Sequence, residues 1–419
     1  MVTHRQLLAL VCSSAILAIV LFPAIGQAAP ALRPDMVRSL EAMQQRLSDG
    51  DAANVASQAM SAAERLEGGN AADRWARALF LQLAATAQAR MGNEAQAADL
   101  FATARGIDGV ESAQRLRWLN QEARLRLRAG QSERGIELLD RWLNQAEGQA
   151  GADDYWLMAQ SLATQSQWQA AATWVDRARR ADAAMTQERL GLAASIYQRA
   201  GRNETALAIL DQLLAQGSAD PASWRRAAAL AQRLGDVGRA AALWDAAWRQ
   251  GVLSSSEDLR QLAQLHLAGG TPARAAEYLR QALEDGELAR NEANQRLLAE
   301  AWTAARDRDQ ALQAWQALAE RTQAGQDWQR LGELAYGWGY WQTAIDALAK
   351  ARETGGDSAR AWLLEGVAHV ELGERDEARQ AFLAARQAGA DQAEAWLASL
   401  DSASEAEVPN PQAGIRNES

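Results

Sequence analysis

From Met36 to Leu400 the apolar residues recur at three- and four-residue spacings, the pattern of helices that each bury one stripe. Short polar turns interrupt the stripes at regular intervals. Most carry glycine: Arg-Met-Gly-Asn at Gly92, Arg-Ala-Gly-Gln at Gly130, Arg-Ala-Gly-Arg at Gly201, Arg-Leu-Gly-Asp at Gly235 and Glu-Leu-Gly-Glu at Gly373. Glycine fits where one helix ends and the chain reverses through the left-handed region. No stretch has the strict alternation of a strand, so the pattern predicts an all-α protein of consecutive helical hairpins.

The hairpins repeat. Trp328, Leu331, Gly332, Gly339, Ala344, Leu348 and Ala351 are followed 34 residues later by Trp362, Glu365, Gly366, Gly373, Ala378, Phe382 and Ala385. The same frame fits Trp224 with Gly235, Ala240, Trp244 and Ala247, then Leu259 with Leu262, Ala263, Gly270, Ala275, Leu279 and Ala282, then Gln295 with Leu298, Ala299, Ala311, Trp315 and Leu318. Weaker copies begin near Leu190, Tyr155, Leu119 and Leu81, and a degenerate first unit occupies residues 35–66.

Two prolines test the frame independently. Asp220-Pro221 and Thr271-Pro272 each place a capping residue before a proline at the first helical position, where the missing N–H costs nothing.

At positions 4, 7, 8, 15, 20, 24 and 27 of the frame these residues resemble the tetratricopeptide repeat (TPR) family. The resemblance implies an α-solenoid of about eight to ten hairpins over residues 35–400. Small residues at positions 8 and 20 let the two helices of a hairpin approach, and large ones at 4 and 24 fill the space between hairpins, so Gly366 is expected to face Ala378 while Trp362 and Phe382 supply bulk. Residues 393–400 would cap the last repeat, and 401–419 read as a disordered tail.

Composition refines this picture at the ends. A basic start, the apolar run Leu7 to Phe22 and the small residues after it form a signal peptide of residues 1–28, with cleavage after Ala28. The alternative is an uncleaved helix anchoring the chain to the inner membrane. Cys12, the only cysteine, lies inside the apolar run behind Val11, where a lipoprotein signal wants a small residue; a cleaved chain has no cysteine and forms no disulfide. The formal net charge of −10 argues against nucleic acid as a partner.

Candidate chemistry is sparse. His266 and His369 both occupy repeat position 11 of distant hairpins and read as packed hairpin residues, not as ligands. Asp153 and Asp154 read as helix N-terminal charges. There is no phosphate loop between a strand and a helix. The expected class is therefore a binding protein, not an enzyme, with no cofactor and no metal.

In TPR proteins the first helices line the concave face, and positions 5, 9 and 12 are among those that meet a partner. Carried onto this chain, the resemblance implies Arg225, Arg260, Arg296 and Gln329 at position 5, Gln264, Glu300 and Glu333 at position 9, and Thr303 and Tyr336 at position 12. Three arginines spaced one per repeat would grip carboxylates or an extended peptide; the alternative is a solvated face in an arginine-rich chain, whose only lysine is Lys350. In the stretch Tyr336-Gly-Trp-Gly-Tyr-Trp341, Tyr336 alone is expected to face the partner and the other five residues to form a turn with its packing.

A finer likeness runs from Trp248 to Leu400, where Gly251-Val-Leu253 and Gly286-Glu-Leu288 follow second helices. This stretch resembles the periplasmic TPR proteins that accompany TonB, ExbB and ExbD in some Gram-negative envelopes. It implies an accessory of outer-membrane uptake of iron chelates or similar solutes, with Ton-complex components or other envelope proteins as partners. Glu365 departs from this pattern where leucine is usual, and Ala-Arg-Ala-Ala after Pro272 departs where an aromatic is common. Alternatives are an adaptor for pilus assembly or polysaccharide export, or a periplasmic hydrolase carrying a helical solenoid.

Overall fold

The computed structural model describes residues 30–146 and 148–407. The expected signal peptide and the last twelve residues lie outside the described part. The chain divides into two compact units: the first runs to Thr186 and adds Ser195–Gly201, and the second comprises Gln187–Ala194 and the chain from Arg202 onward.

In the first unit the helices pair in order: α1 (Pro34–Ser48) with α2 (Ala52–Arg65), α3 (Ala71–Arg90) with α4 (Glu94–Gly106), α5 (Ser112–Arg128) with α6 (Ser132–Gln145), and α7 (Ala152–Thr164) with α8 (Trp168–Ala181). Helix α9 (Gln187–Arg199) is divided between the units.

The second unit continues with α10 (Asn203–Ala215) and five hairpins: α11 (Pro221–Arg233) and α12 (Val237–Arg249), α13 (Ser256–Ala268) and α14 (Pro272–Asp285), α15 (Glu292–Ala305) and α16 (Arg308–Thr322), α17 (Gly325–Trp338) and α18 (Trp341–Glu353), α19 (Ser358–Leu372) and α20 (Arg375–Gln387). A single helix, α21 (Ala393–Glu407), follows. All elements among the described residues are helices, and none is long and apolar enough to cross a membrane.

Each helix buries the stripe that its sequence spells. In α20 this is Ala378, Ala381, Phe382 and Ala385, and Phe382 is completely enclosed. Burying such a ring contributes roughly 1.5–3 kcal/mol. Alanines bring little volume, so the hairpins depend on close approach.

At Gly366 an added Cβ would lie 2.6 Å from the Phe382 ring, and at Gly332 it would lie 2.6 Å from Leu348 Cγ. Position 8 therefore meets position 24, and Gly366 faces Phe382 where Ala378 was expected. The reason is volume: the missing side chain makes room for the large residue, not for another small one.

The turns between the two helices of a hairpin share one conformation. Gly92, Gly130, Gly235, Gly270, Gly339 and Gly373 have φ between 76° and 83°. Two hairpins lack glycine there and adopt the same twist with an ordinary residue: Ser166 at φ 58° and Arg306 at φ 60°.

The proline sites differ from each other. Asp220 caps α11 through bonds to the Ala222 and Ser223 amides at 3.1 and 3.0 Å. Thr271 stands at the start of α14 but does not cap it, because its hydroxyl is taken by His266. At the C-terminal end, α21 continues helically to Glu407, past Leu400 where the sequence loses its periodicity.

Candidate partner-binding face

The position-5 residues stand on the first helices of successive hairpins in the second unit. Each is the fifth residue of its helix, so a long side chain there reaches the start of the next first helix. Arg225 does this: its Nη2 donates to Asp258 at 2.9 and 3.0 Å and its Nε at 3.1 Å. Arg296 repeats it with Asp327, at 2.6 and 3.1 Å, and also bonds Glu292 at 3.0 Å.

Both aspartates sit at the third position of their helices and are 4% and 2% exposed. Burial alone would raise Asp258, but the Ser255 hydroxyl and the Arg225 guanidinium outweigh it and hold the carboxyl below its usual range. Arg296 is held more basic than usual, first by its bond to Asp327.

Two of the three arginines are thus fastened to the following hairpin. Arg260 is different. It bonds Glu257 on its own helix, three residues back and exposed. In the next hairpin the place of Asp258 and Asp327 is taken by neutral Asn294, whose Nδ2 donates to the Ala289 carbonyl at 2.8 Å while its Oδ1 is buried without a partner. Among the described residues no carboxylate across the junction pairs with Arg260.

The remaining candidates divide the same way. Gln264 and Glu300 are exposed. Gln329 donates to Glu333 at 3.2 Å and accepts the Asp357 amide at 2.9 Å, and Glu333 accepts from Arg360 at 2.5 Å, so this pair ties α17 to α19. Thr303 donates to the Ala299 carbonyl and accepts the Trp315 indole N–H at 3.0 Å.

Tyr336 is half-buried. Its ring meets Trp341 edge-on at 5.6 Å, and it packs against the cores of both its own hairpin and the next. It thus takes part in the packing as well as standing at position 12.

The histidines do what their shared position requires. His266 Nδ1 lies 2.8 Å from the Thr271 hydroxyl and His369 Nδ1 lies 2.7 Å from Glu374, each closing the turn of its own hairpin. Among the described residues no group of three His, Cys, Asp or Glu side chains could hold a metal ion.

Sequence reasoning missed the buried acids. Glu122 and Glu365 both occupy position 7, and each takes an arginine from position 28 of the hairpin before it, Arg105 and Arg352. The signal was present in Glu365 itself, a charge where leucine is usual.

No protein-family model and no curated protein matches the chain. Three similar solved structures are a tetratricopeptide repeat protein from Parabacteroides merdae ATCC 43184, MamA, and the TPR2AB domain of yeast Sti1 in complex with pHSP90. The first is 16% identical over 60% of this chain and 98% of its own, with a TM-score of 0.29. MamA is 22% identical over 39% and 95%, at 0.31. The Sti1 domain is 18% identical over 61% and 95%, at 0.28.

The chain is an all-α array of helical hairpins, and its 34-residue frame, its position-15 turns and the packing of position 8 on position 24 are the features in which those hairpins resemble tetratricopeptide repeats.

Proposed function

We propose that this chain is a non-enzymatic periplasmic scaffold that binds envelope proteins through the first helices of its second unit. Its partner is the Ton complex of TonB, ExbB and ExbD, which energises outer-membrane uptake of iron chelates or similar solutes. The observation that carries the binding face is Arg260. Its neighbours Arg225 and Arg296 are committed to buried aspartates, whereas Arg260 holds only exposed Glu257.

Such a surface pair is worth about 0–1 kcal/mol, so a partner carboxylate displaces Glu257 at little cost. Gln264 stands one helical turn beyond Arg260 and is exposed, extending the polar surface offered to a partner.

A non-catalytic role is supported by the engagement of His266 and His369 in their own turns. Export is supported by the apolar run Leu7 to Phe22 and the small residues that follow it. The Ton assignment is supported by the likeness along Trp248 to Leu400.

A tagged full-length chain used to capture proteins from detergent-solubilised Gram-negative membranes tests the proposal. Enrichment of TonB, ExbB or ExbD, reduced by Arg260→Ala, is expected. Capture of none of the three overturns the Ton assignment, and capture indifferent to Arg260→Ala overturns the face.

A further inference from the structure

In the first unit a cleft of about 330 Å³ opens where the end of α4, the start of α5 and the end of α6 come together. Arg105, Arg115 and Arg141 line it with Ser112, Leu116 and Leu119, and no carboxylate does.

Arg105 and Arg115 are held by buried or backbone acceptors, and Arg141 is tethered by an exposed ion pair. Arg105 donates through Nε and Nη2 to Glu122 at 3.2 and 2.9 Å, and Arg141 through Nη2 to exposed Glu137 at 3.1 Å. Arg115 donates to the backbone carbonyls of Val110 and Ile107 at 3.1 and 2.8 Å.

Carbonyls satisfy hydrogen bonds but do not cancel charge. Half-buried Arg115 has no carboxylate pairing with it among the described residues. A guanidinium has five N–H donors, and these bonds leave the Nη1 group of all three arginines unused.

The lining is not a general property of the repeat. The equivalent cleft of the second unit, at the junction of α12, α13 and α14, has Trp248 at the position of Arg105 and Leu259 at that of Leu119, with Ser254, Ser256 and Glu287 around them. The same fold position is aromatic and acidic there and carries three arginines here, in a chain of net charge −10.

We propose that the α4–α5–α6 cleft is an anion site, taking a ligand group with several oxygens, carboxylate or phosphate, on the guanidiniums of Arg115, Arg105 and Arg141. Oxygens arranged in one plane or tetrahedron match the fork of a guanidinium, and Arg105 and Arg115 are already held in place when the ligand arrives. The site lies in the first unit and is independent of the partner face of the second.

Titration calorimetry on the full chain, with inorganic phosphate in one arm and succinate in the other, tests this at low chloride. Saturable binding of either probe is expected; phosphate alone assigns a phosphate group and succinate alone a carboxylate. Arg141→Gln, at a site 44% exposed and tied only to Glu137, should weaken binding about tenfold with unchanged circular dichroism. Arg115→Gln should weaken it further. Binding of neither probe, or binding unaffected by Arg141→Gln and Arg115→Gln, overturns the proposal.

Discussion

Arg105 and Glu122 meet at 2.9 Å across the junction of α4 and α5, with Glu122 only 1% exposed. Arg352 and Glu365 repeat that relationship at the junction of α18 and α19, where Arg352 also lies 3.3 Å above the Trp362 ring. Leu283 with Leu298 and Ala319 with Leu331 occupy the same two repeat positions elsewhere. The frame accepts either two apolar residues or one ion pair at this point.

Removing one member of a buried pair leaves an uncompensated charge, at a cost of roughly 3–5 kcal/mol, whereas replacing both with apolar residues is often neutral or stabilising. Glu365→Leu should therefore lower the urea midpoint strongly, and Arg352→Leu combined with Glu365→Leu should restore it. A double variant as unstable as the single one would contradict this reading.

Ser166 and Arg306 hold the left-handed turn conformation that glycine supplies in other hairpins. An L-residue there costs roughly 1–2 kcal/mol, so Arg306→Gly should raise the thermal transition, with Ser166→Gly acting in the same sense. The opposite change is expected at Gly366, where an alanine Cβ would meet the Phe382 ring at 2.6 Å. Overpacking of this kind costs roughly 1–3 kcal/mol. Differential scanning of the three variants checks both signs.

His266 is buried beside Asp245, which accepts the Tyr278 hydroxyl at 2.5 Å and pairs with Arg249 at 3.0 Å. The Nε2 of His266 lies 3.9 Å from Asp245 and has no hydrogen-bond partner. Burial pushes His266 below its ordinary value; Asp245 opposes that shift and Arg274 adds to it.

A histidine with a depressed folded pKa favours the folded state fully above its unfolded pKa of about 6.5, and that contribution is lost as pH falls toward the folded value. Stability should therefore decline on acidification below about pH 6.5, and His266→Gln should flatten that part of the profile. Urea midpoints from pH 8 to 5 measure it; identical slopes in the two proteins would refute the assignment.

The sequence revealed the hairpins because position 15 needs a left-handed residue and positions 8 and 24 need complementary volumes, constraints that recur every 34 residues. It did not reveal which arginines were already occupied. Arg225, Arg260 and Arg296 look alike in the text, and their difference lies in Asp258, Asn294 and Asp327 of the following hairpins. Repeat position also gives a direction along the helix without saying that Trp341 packs on the edge of Tyr336. The tail boundary fell at Leu400 because apolar periodicity stops there, while helical hydrogen bonding does not need it and continues to Glu407.

If Arg260 serves a partner while Arg225 and Arg296 serve the fold, the three single alanine variants separate in two measurements: the thermal transition and the capture of Ton components from solubilised membranes. Arg260→Ala should reduce capture with an unchanged transition, and Arg225→Ala and Arg296→Ala should lower the transition by leaving Asp258 and Asp327 buried without a counter-charge. Undiminished capture by Arg260→Ala, together with unshifted transitions in the other two, would contradict it.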